Sequence, residues 1–149
     1  MRSLKLQDKR SKWKTQFDLV ESASSFHNKL RDIFVSDPFF RHLHCFQEVP
    51  VSSIVLGYQH TNHHVDWYID ELGTVIELHG KQHYNIANFG NDPYDKARAT
   101  FHNIQYRDNL KKTAIQEAGI EYREISYKLS AKLNANMIKD IIFTETKNE

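Results

Sequence analysis

Two short stretches determine the fold that we expect of this chain: Val65-Asp66-Trp67-Tyr68-Ile69 and Thr74-Val75-Ile76-Glu77-Leu78. The first alternates between two faces, with Val65, Trp67 and Ile69 on one of them, and this period predicts a β-strand. The second is mostly apolar, as is typical of a central strand that is covered on both sides. We therefore expect two neighbouring strands of one sheet.

Helices and further strands are predicted on both sides of this pair. Asp37-Pro38 ends the first helix because proline disfavours helical geometry in the residue before it, and Gly119 fits the end of the second helix. The first expected element is a helix over residues 17–35, for which the stretch Ser22 to Ser25 offers an alternative start or a break. The others are a strand over 44–50, a hairpin turn at 71–73, a polar loop over 84–99, a helix over 100–118, a strand over 120–127 and a helix over 134–143. This order predicts an α/β domain around a small central sheet.

Length and composition exclude several classes of protein. The 149 residues suffice for one domain with a sizeable core, and no apolar run approaches the roughly 20 residues that span a bilayer. The single cysteine, Cys45, excludes an internal disulfide framework and fits a reducing compartment, so we expect a cytoplasmic protein with no membrane partner. We expect a basic arm over residues 1–16 and one domain over residues 17–149.

The formal net charge of +1 hides three charged segments. Residues 1–14 carry six basic side chains and one acidic, residues 66–95 carry six acidic and one basic, and residues 96–132 carry eight basic and four acidic. A carboxylate-rich centre between basic segments suits a metal-dependent enzyme acting on a phosphodiester, since acids hold the cation and bases hold phosphates. Alternatively, these segments are solvated faces whose charges happen to alternate.

Asp66 and Glu77 are carboxylates within stretches that are otherwise patterned as strands. An unpaired buried carboxylate costs several kcal/mol, so each needs a cation or a hydrogen-bond donor. A hairpin would bring the two side by side, and a divalent cation such as Mg²⁺ relieves their repulsion. Alternatively, one carboxylate caps a turn and the other pairs with an arginine.

Two of the nine histidines, His79 and His83, adjoin this carboxylate pair, where a general base or a proton shuttle is needed. The other candidates, His60, His63 and His64, fit a polar loop better than a zinc site. The chain has one cysteine and no credible helical pair of histidines at metal-binding spacing.

The helix predicted over residues 100–118 has charges on its packing side. Arg107 and Lys111 lie between two apolar flanks, and Asp108 lies beside Ile115. The flanks are Tyr106, Leu110 and Ala114 on one side and Ile104 and Ile115 on the other. This placement indicates that the helix faces a polar site, unless the long side chains reach solvent at its edge.

Taken together, residues 65–127 resemble the PD-(D/E)XK nuclease superfamily, in the branch of the very short patch mismatch-repair endonucleases and EDxHD-type homing endonucleases. The resemblance rests on the strand Val65–Ile69, on Val75-Ile76-Glu77-Leu78-His79-Gly80-Lys81-Gln82-His83-Tyr84, on Phe101-His102-Asn103-Ile104-Gln105-Tyr106-Arg107-Asp108-Asn109-Leu110-Lys111 and on the strand over 120–127. It implies a restriction-endonuclease-like mixed central sheet flanked by helices.

The resemblance implies metal-dependent hydrolysis of duplex or branched DNA. The expected location is a bacterial cell or a phage-infected host, and whether the protein forms a homodimer stays an open question. Mg²⁺, replaceable by Mn²⁺, would be held by Asp66, Glu77 and the carbonyl of Leu78. The resemblance implies four further catalytic residues: His79, His83, Asp108 and Lys111. His83 would activate water, Asp108 would orient His83, and Lys111 would hold the phosphate. Implied nucleic-acid contacts are Arg107, Lys81, Gln82, Lys9, Arg10, Lys12 and Trp13, although Trp13 alternatively packs on the domain.

The chain departs from the family pattern at two positions. His79 replaces the usual lysine after Glu77, so the role of orienting water passes to His83. Glu21 and His27 are alternatives for the acidic residue that the family places on its first helix. A nucleic-acid-binding module without catalysis and a protein-interaction domain on the same fold therefore stay open; the RNA-associated RAP domain shares the strand pattern.

Overall fold

The computed structural model of the protein describes residues 12–21, 23–80 and 94–144. Within these ranges the strands are β1 (Lys14–Thr15), β2 (Cys45–Pro50), β3 (His64–Ile69), β4 (Thr74–His79) and β5 (Glu121–Ser126). The α-helices are α1 (Ser25–Ser36), α2 (Val51–Ile54), α3 (Tyr94–Glu117) and α4 (Ala135–Phe143), with short 3₁₀ helices at Phe40–His42 and Tyr127–Lys132.

The five strands form one sheet in the order β1-β2-β3-β4-β5. The pairs from β1 to β4 are antiparallel, whereas β4 and β5 are parallel. A parallel pair requires a crossover connection, and α3 lies in the segment between these two strands. The structure therefore confirms the predicted α/β class, with a mixed central sheet flanked by helices.

The predicted hairpin between β3 and β4 is confirmed. Ile69 pairs with Thr74, and the backbone N–H of Gly73 donates to the carbonyl oxygen of Asp70 over 3.1 Å. Gly73 has a φ of 54°, a left-handed conformation that glycine adopts without a steric penalty. This turn sets the register that brings Asp66 opposite Glu77.

Two hydrophobic clusters fill the space between the sheet and the helices. One joins Phe34 of α1 and Ile138 of α4 to Trp67 and Ile76, and the other joins Ile115 of α3 to strand residues such as Val75. Each such fully buried side chain contributes about 1.5–3 kcal/mol. Val65 packs in the second cluster with Tyr68, so the prediction that it shares a face with Trp67 is wrong. Val65 is paired with Val49 of β2, which belongs to the same second cluster.

The first helix begins at the later of the two starts that the sequence offers. The described residues 17–21 and 23–24 are not helical; Ser24 forms the N-cap of α1, and its hydroxyl accepts from the N–H of His27 over 3.1 Å. A turn precedes it, in which the Asp18 carboxylate accepts from the N–H of Thr15. The apolar pattern was misleading here because Phe17 and Leu19 are exposed.

The second helix begins earlier than predicted. The range Tyr94–Glu117 is helical, so residues 94–99 of the predicted loop 84–99 belong to α3. Those six residues, YDKARA, contain strong helix formers that outweigh the loop signals before them. Residues 84–93 lie outside the described residues. Tyr106 is 68% exposed and does not form part of the predicted apolar flank; among the described side chains of α3, the buried ones are Lys111 and Ile115.

The end of the predicted basic arm is part of the sheet. Lys14 pairs with Gln47 and Thr15 pairs with Phe46, which makes β1 an edge strand. Trp13 packs edge-on against Phe46, with ring centroids 5.2 Å apart. Of the two roles considered for Trp13, contact with nucleic acid and packing on the domain, the structure shows the packing. Lys12 is exposed, and residues 1–11 lie outside the described residues.

Candidate active site

Asp66 and Glu77 meet where the ladder between β3 and β4 ends. The last backbone pair of this ladder is Trp67 with Ile76. At the next position, the side-chain carboxylates of Asp66 and Glu77 accept hydrogen bonds from backbone N–H groups. The N–H of Leu78 donates to Asp66 Oδ2 over 2.7 Å, and the N–H of Asp66 donates to Glu77 Oε2 over 3.3 Å. The expectation that a hairpin brings these carboxylates side by side is confirmed.

Lys111 of α3 is the cation paired with Glu77. Its Nζ lies 2.5 Å from Glu77 Oε1 and also donates to the carbonyl oxygen of His64 over 2.9 Å. Both side chains are buried, so this pair is shielded from solvent screening. The helix therefore delivers an ammonium group to the strand carboxylate, as the charges on its packing side indicate.

The protonation of Glu77 is affected by opposing influences. Burial raises its pKa well above the usual range and the charge of Asp66 raises it further, whereas Lys111 lowers it. The balance is upward, because Lys111 does not offset burial together with the charge of Asp66. Additional positive charge at this place would favour the ionised form of Glu77.

A cavity of about 550 Å³ opens onto this pair. Its charged and polar lining comes from α1, β2, the residues before β3, β3, β4 and α3, and includes Glu48, Asp66, Glu77, Arg107, Asp108 and Lys111, with the backbone of Leu78 beside them. The Arg107 side chain is 44% exposed, and its Nε lies 3.9 Å from Asp108 Oδ1. The cavity therefore joins a buried carboxylate centre to an accessible guanidinium, an arrangement able to hold an anion beside a cation.

His79 is turned away from this cavity. Its Nδ1 lies 3.7 Å from Glu124 Oε2 on the neighbouring strand, and Lys112 Nζ lies 3.9 Å from the other oxygen of Glu124. His79 is absent from the described lining of the cavity. The remaining predicted residues, Lys9, Arg10, Lys81, Gln82 and His83, lie outside the described residues.

The structure separates the two alternatives for the first helix. His27 lines the cavity, whereas Glu21 is exposed and is absent from its described lining. The His27 ring stacks on Trp67, with centroids 4.9 Å apart, and its Nε2 lies 2.8 Å from Gln47 Oε1. Because the Gln47 amide nitrogen donates to the carbonyl oxygens of Thr15 and Asp18, its oxygen is the atom that faces His27, and Nε2 carries the ring proton.

The sequence reasoning missed several residues of the cavity lining, among them Glu48, Asn62, His64 and His63. The sequence reasoning assigned His63, together with His60 and His64, to a polar loop without a role. His63 nevertheless lines the same cavity as Asp66 and Lys111. The signal that points to it is proximity in sequence, because it lies three residues before Asp66.

The donor set fits a hard divalent cation. Asp66, Glu77 and the Leu78 carbonyl offer only oxygen atoms, which Mg²⁺ prefers. Burial and then the charge of Asp66 raise the pKa of Glu77, and a bound cation would offset both. Among the described residues, no group of three or more His, Cys, Asp or Glu side chains is arranged to hold a metal ion. The cation would thus rely on the two carboxylates, the carbonyl and water.

Fold and site together define an α/β protein with a buried carboxylate–lysine centre at the base of an open, charged cavity. Comparisons of the chain with protein-family models and with curated proteins found no match. None of the helices in the described ranges has the length and apolar character that crossing a lipid bilayer requires.

Proposed function

We propose that the protein is a metal-dependent endonuclease that hydrolyses DNA phosphodiester bonds. The observation that carries this proposal is the contact of Asp66, Glu77 and Lys111 in one cavity. Two adjacent carboxylates are costly unless a cation is part of their function, and a lysine beside them fits chemistry on a phosphate. The resemblance of residues 65–127 to PD-(D/E)XK nucleases supports the same reaction.

Asp66, Glu77 and the Leu78 carbonyl would hold the divalent ion. When bound, such an ion polarises the scissile phosphate and neutralises charge on the leaving oxygen. Arg107 is the accessible cation of the cavity, and its planar guanidinium suits two oxygens of one phosphate. Asp108, 3.9 Å from Arg107, orients that guanidinium.

Lys111 takes the place of the lysine that the sequence lacks after Glu77. The family lysine belongs to the strand of the glutamate, where this chain has His79 directed towards Glu124. Here the ammonium group comes from α3 and contacts Glu77 directly. We therefore assign to Lys111 the orientation of the attacking water and of a phosphate oxygen, in addition to the phosphate contact expected from the sequence.

The basic segment before the domain would contact the DNA backbone. Lys9, Arg10 and Lys12 are suited to nonspecific phosphate contacts, whose strength falls with salt concentration. Trp13 and Lys14 belong to the folded domain, so deleting residues 1–14 would also remove packing and part of β1. Substituting Lys9, Arg10 and Lys12 together by alanine should weaken DNA binding and flatten its salt dependence, without loss of thermal stability.

The test of the proposal is a cleavage panel on plasmid, linear, branched and single-stranded DNA, with Mg²⁺, with Mn²⁺ and with EDTA. We expect cleavage of duplex or branched DNA with either cation and none in EDTA. Asp66→Ala and Glu77→Ala, shown to be folded, should lose cleavage while retaining DNA binding. The exposed variant Asp32→Ala on α1 is a matched control that should cleave as the wild type does.

The outcomes separate the alternatives. Binding without cleavage on every substrate would favour a nucleic-acid-binding module, and the absence of both would favour a protein-interaction domain. Undiminished cleavage by folded Asp66→Ala or Glu77→Ala would refute the assignment of the site.

A further inference from the structure

His63 is held in one orientation by four contacts. Its Nδ1 lies 2.7 Å from the hydroxyl of Tyr58, and the His60 ring stacks on it with centroids 4.6 Å apart and planes 8° apart. Its backbone N–H donates to the His60 carbonyl oxygen, and its own carbonyl oxygen accepts from the N–H of Val51. A loop histidine without a role at the cavity has no need of such preorganisation.

Within the described residues, no hydrogen bond engages the other ring nitrogen of His63. Nδ1 is taken by Tyr58, so Nε2 is the atom left to meet a ligand in the cavity that Asp66, Glu77 and Lys111 also line. We propose that His63 accepts the proton of the attacking water at Nε2 while Tyr58 fixes its ring. This inference rests on the proposed phosphodiesterase function and assigns to His63 the role that the family resemblance gives to His83.

The reaction step is balanced without a further reactant. The water oxygen forms a bond to phosphorus, the bond from phosphorus to the leaving 3′ oxygen breaks, and the water proton moves to Nε2 of His63. The leaving oxygen takes a proton from bulk water. For this role Nδ1 carries the ring proton and donates it to the Tyr58 oxygen, which leaves the lone pair on Nε2.

The surroundings of His63 favour the neutral ring that a base requires. Burial lowers its pKa, and the nearby His60, Lys111, Arg107 and His64 lower it further. Tyr58 stays neutral because burial raises the pKa of its phenol. Burial and the neighbouring positive charges therefore both favour the neutral ring, whose Nε2 can accept a proton.

The test compares single-turnover cleavage by the wild type and by His63→Asn between pH 5 and 9. Asparagine retains a partner for Tyr58 but has no basic nitrogen, so it separates positioning from proton transfer. We expect a loss of about 100-fold in rate, the disappearance of the rise in rate with pH, and DNA affinity within twofold of the wild type. Partial recovery of His63→Ala by added imidazole is expected as well.

Two further variants keep the test decisive. Tyr58→Phe retains the histidine but lacks its hydrogen-bond acceptor, and should lose about tenfold in rate with the pH dependence preserved. His42→Asn, an exposed histidine outside the described lining of the cavity, is the matched control and should cleave normally. A folded His63→Asn with an unaltered rate and pH profile overturns this inference alone, whereas a wild type that cleaves no substrate overturns the proposed function.

Discussion

The Nζ atom of Lys111 lies 2.5 Å from Oε1 of Glu77, although 34 residues separate the two in sequence. Both side chains are buried, and Asp66 lies on the other side of the same carboxylate. The pair joins α3 to the centre of the sheet and places one positive charge among two negative ones. Its energetics and its chemistry are therefore coupled.

Replacing Lys111 by methionine should lower the free energy of unfolding by about 3 kcal/mol at pH 8. The substitution leaves Glu77 buried without its cation, whereas the methylene packing is largely retained. Urea denaturation measures the loss. The double variant Glu77→Gln with Lys111→Met should recover most of it, because no uncompensated charge remains; additive losses in this cycle would contradict the coupling.

The stability of the wild type should depend on the ionisation of Glu77. Burial and the charge of Asp66 raise the folded-state pKa of this carboxyl above its usual value of 4.5. Between the two values the folded state binds more protons than the unfolded state, so this contribution to the free energy of unfolding falls as pH rises. Glu77→Gln should remove that fall. Urea titrations of both proteins from pH 4 to pH 8 measure it, and equal slopes would exclude the effect.

Mg²⁺ should raise the melting temperature of the wild type without DNA present. An ion that binds only the folded state stabilises it by mass action, by about 2.7 kcal/mol at a hundredfold excess over Kd. Asp66→Asn should abolish the shift, while the exposed control Asp32→Asn should retain it. A shift of equal size in Asp66→Asn would place the ion elsewhere.

Tyr122→Phe should stabilise the protein by about 1 kcal/mol. The Tyr122 hydroxyl is buried and has no hydrogen-bond partner among the described residues, and such a group costs stability. Burial and the surrounding carboxylates, Glu77 foremost, also raise the pKa of this phenol, so it stays neutral. Differential scanning calorimetry measures the gain, and a lower melting temperature in the variant would mean that the hydroxyl has a partner.

Strands β3 and β4 and their hairpin were predictable because their signals are local, whereas the short edge strand β1 was not. The alternation of Trp67 and Ile69 and the glycine of the turn each follow from a few neighbouring residues, although Val65 does not share their face. The start of α1 was not predictable from apolar pattern alone, since Phe17 and Leu19 imitate a buried helix face while remaining exposed. The capping serine, Ser24, was the better signal.

The carboxylates and the lysine of the site were predictable from the sequence, but their pairing was not. The sequence indicates that Asp66 and Glu77 meet and that Lys111 faces a polar region. Which carboxylate receives the lysine depends on how α3 crosses β4, a tertiary relationship that no local spacing contains. His63 was not predicted for the same reason. A histidine in a loop belongs to no periodic pattern, so the sequence does not indicate that it lines the cavity.

The most direct measurement of the central claim is the single-turnover rate at which the protein cleaves supercoiled plasmid in Mg²⁺, compared between the wild type and folded Glu77→Gln. Glutamine preserves the shape of the side chain and removes the charge that pairs with Lys111 and would hold the ion. The account predicts cleavage by the wild type that EDTA abolishes, and a rate at least 100-fold lower for the variant at equal DNA affinity. Equal rates for the two proteins, or no Mg²⁺-dependent cleavage by the wild type, would contradict it.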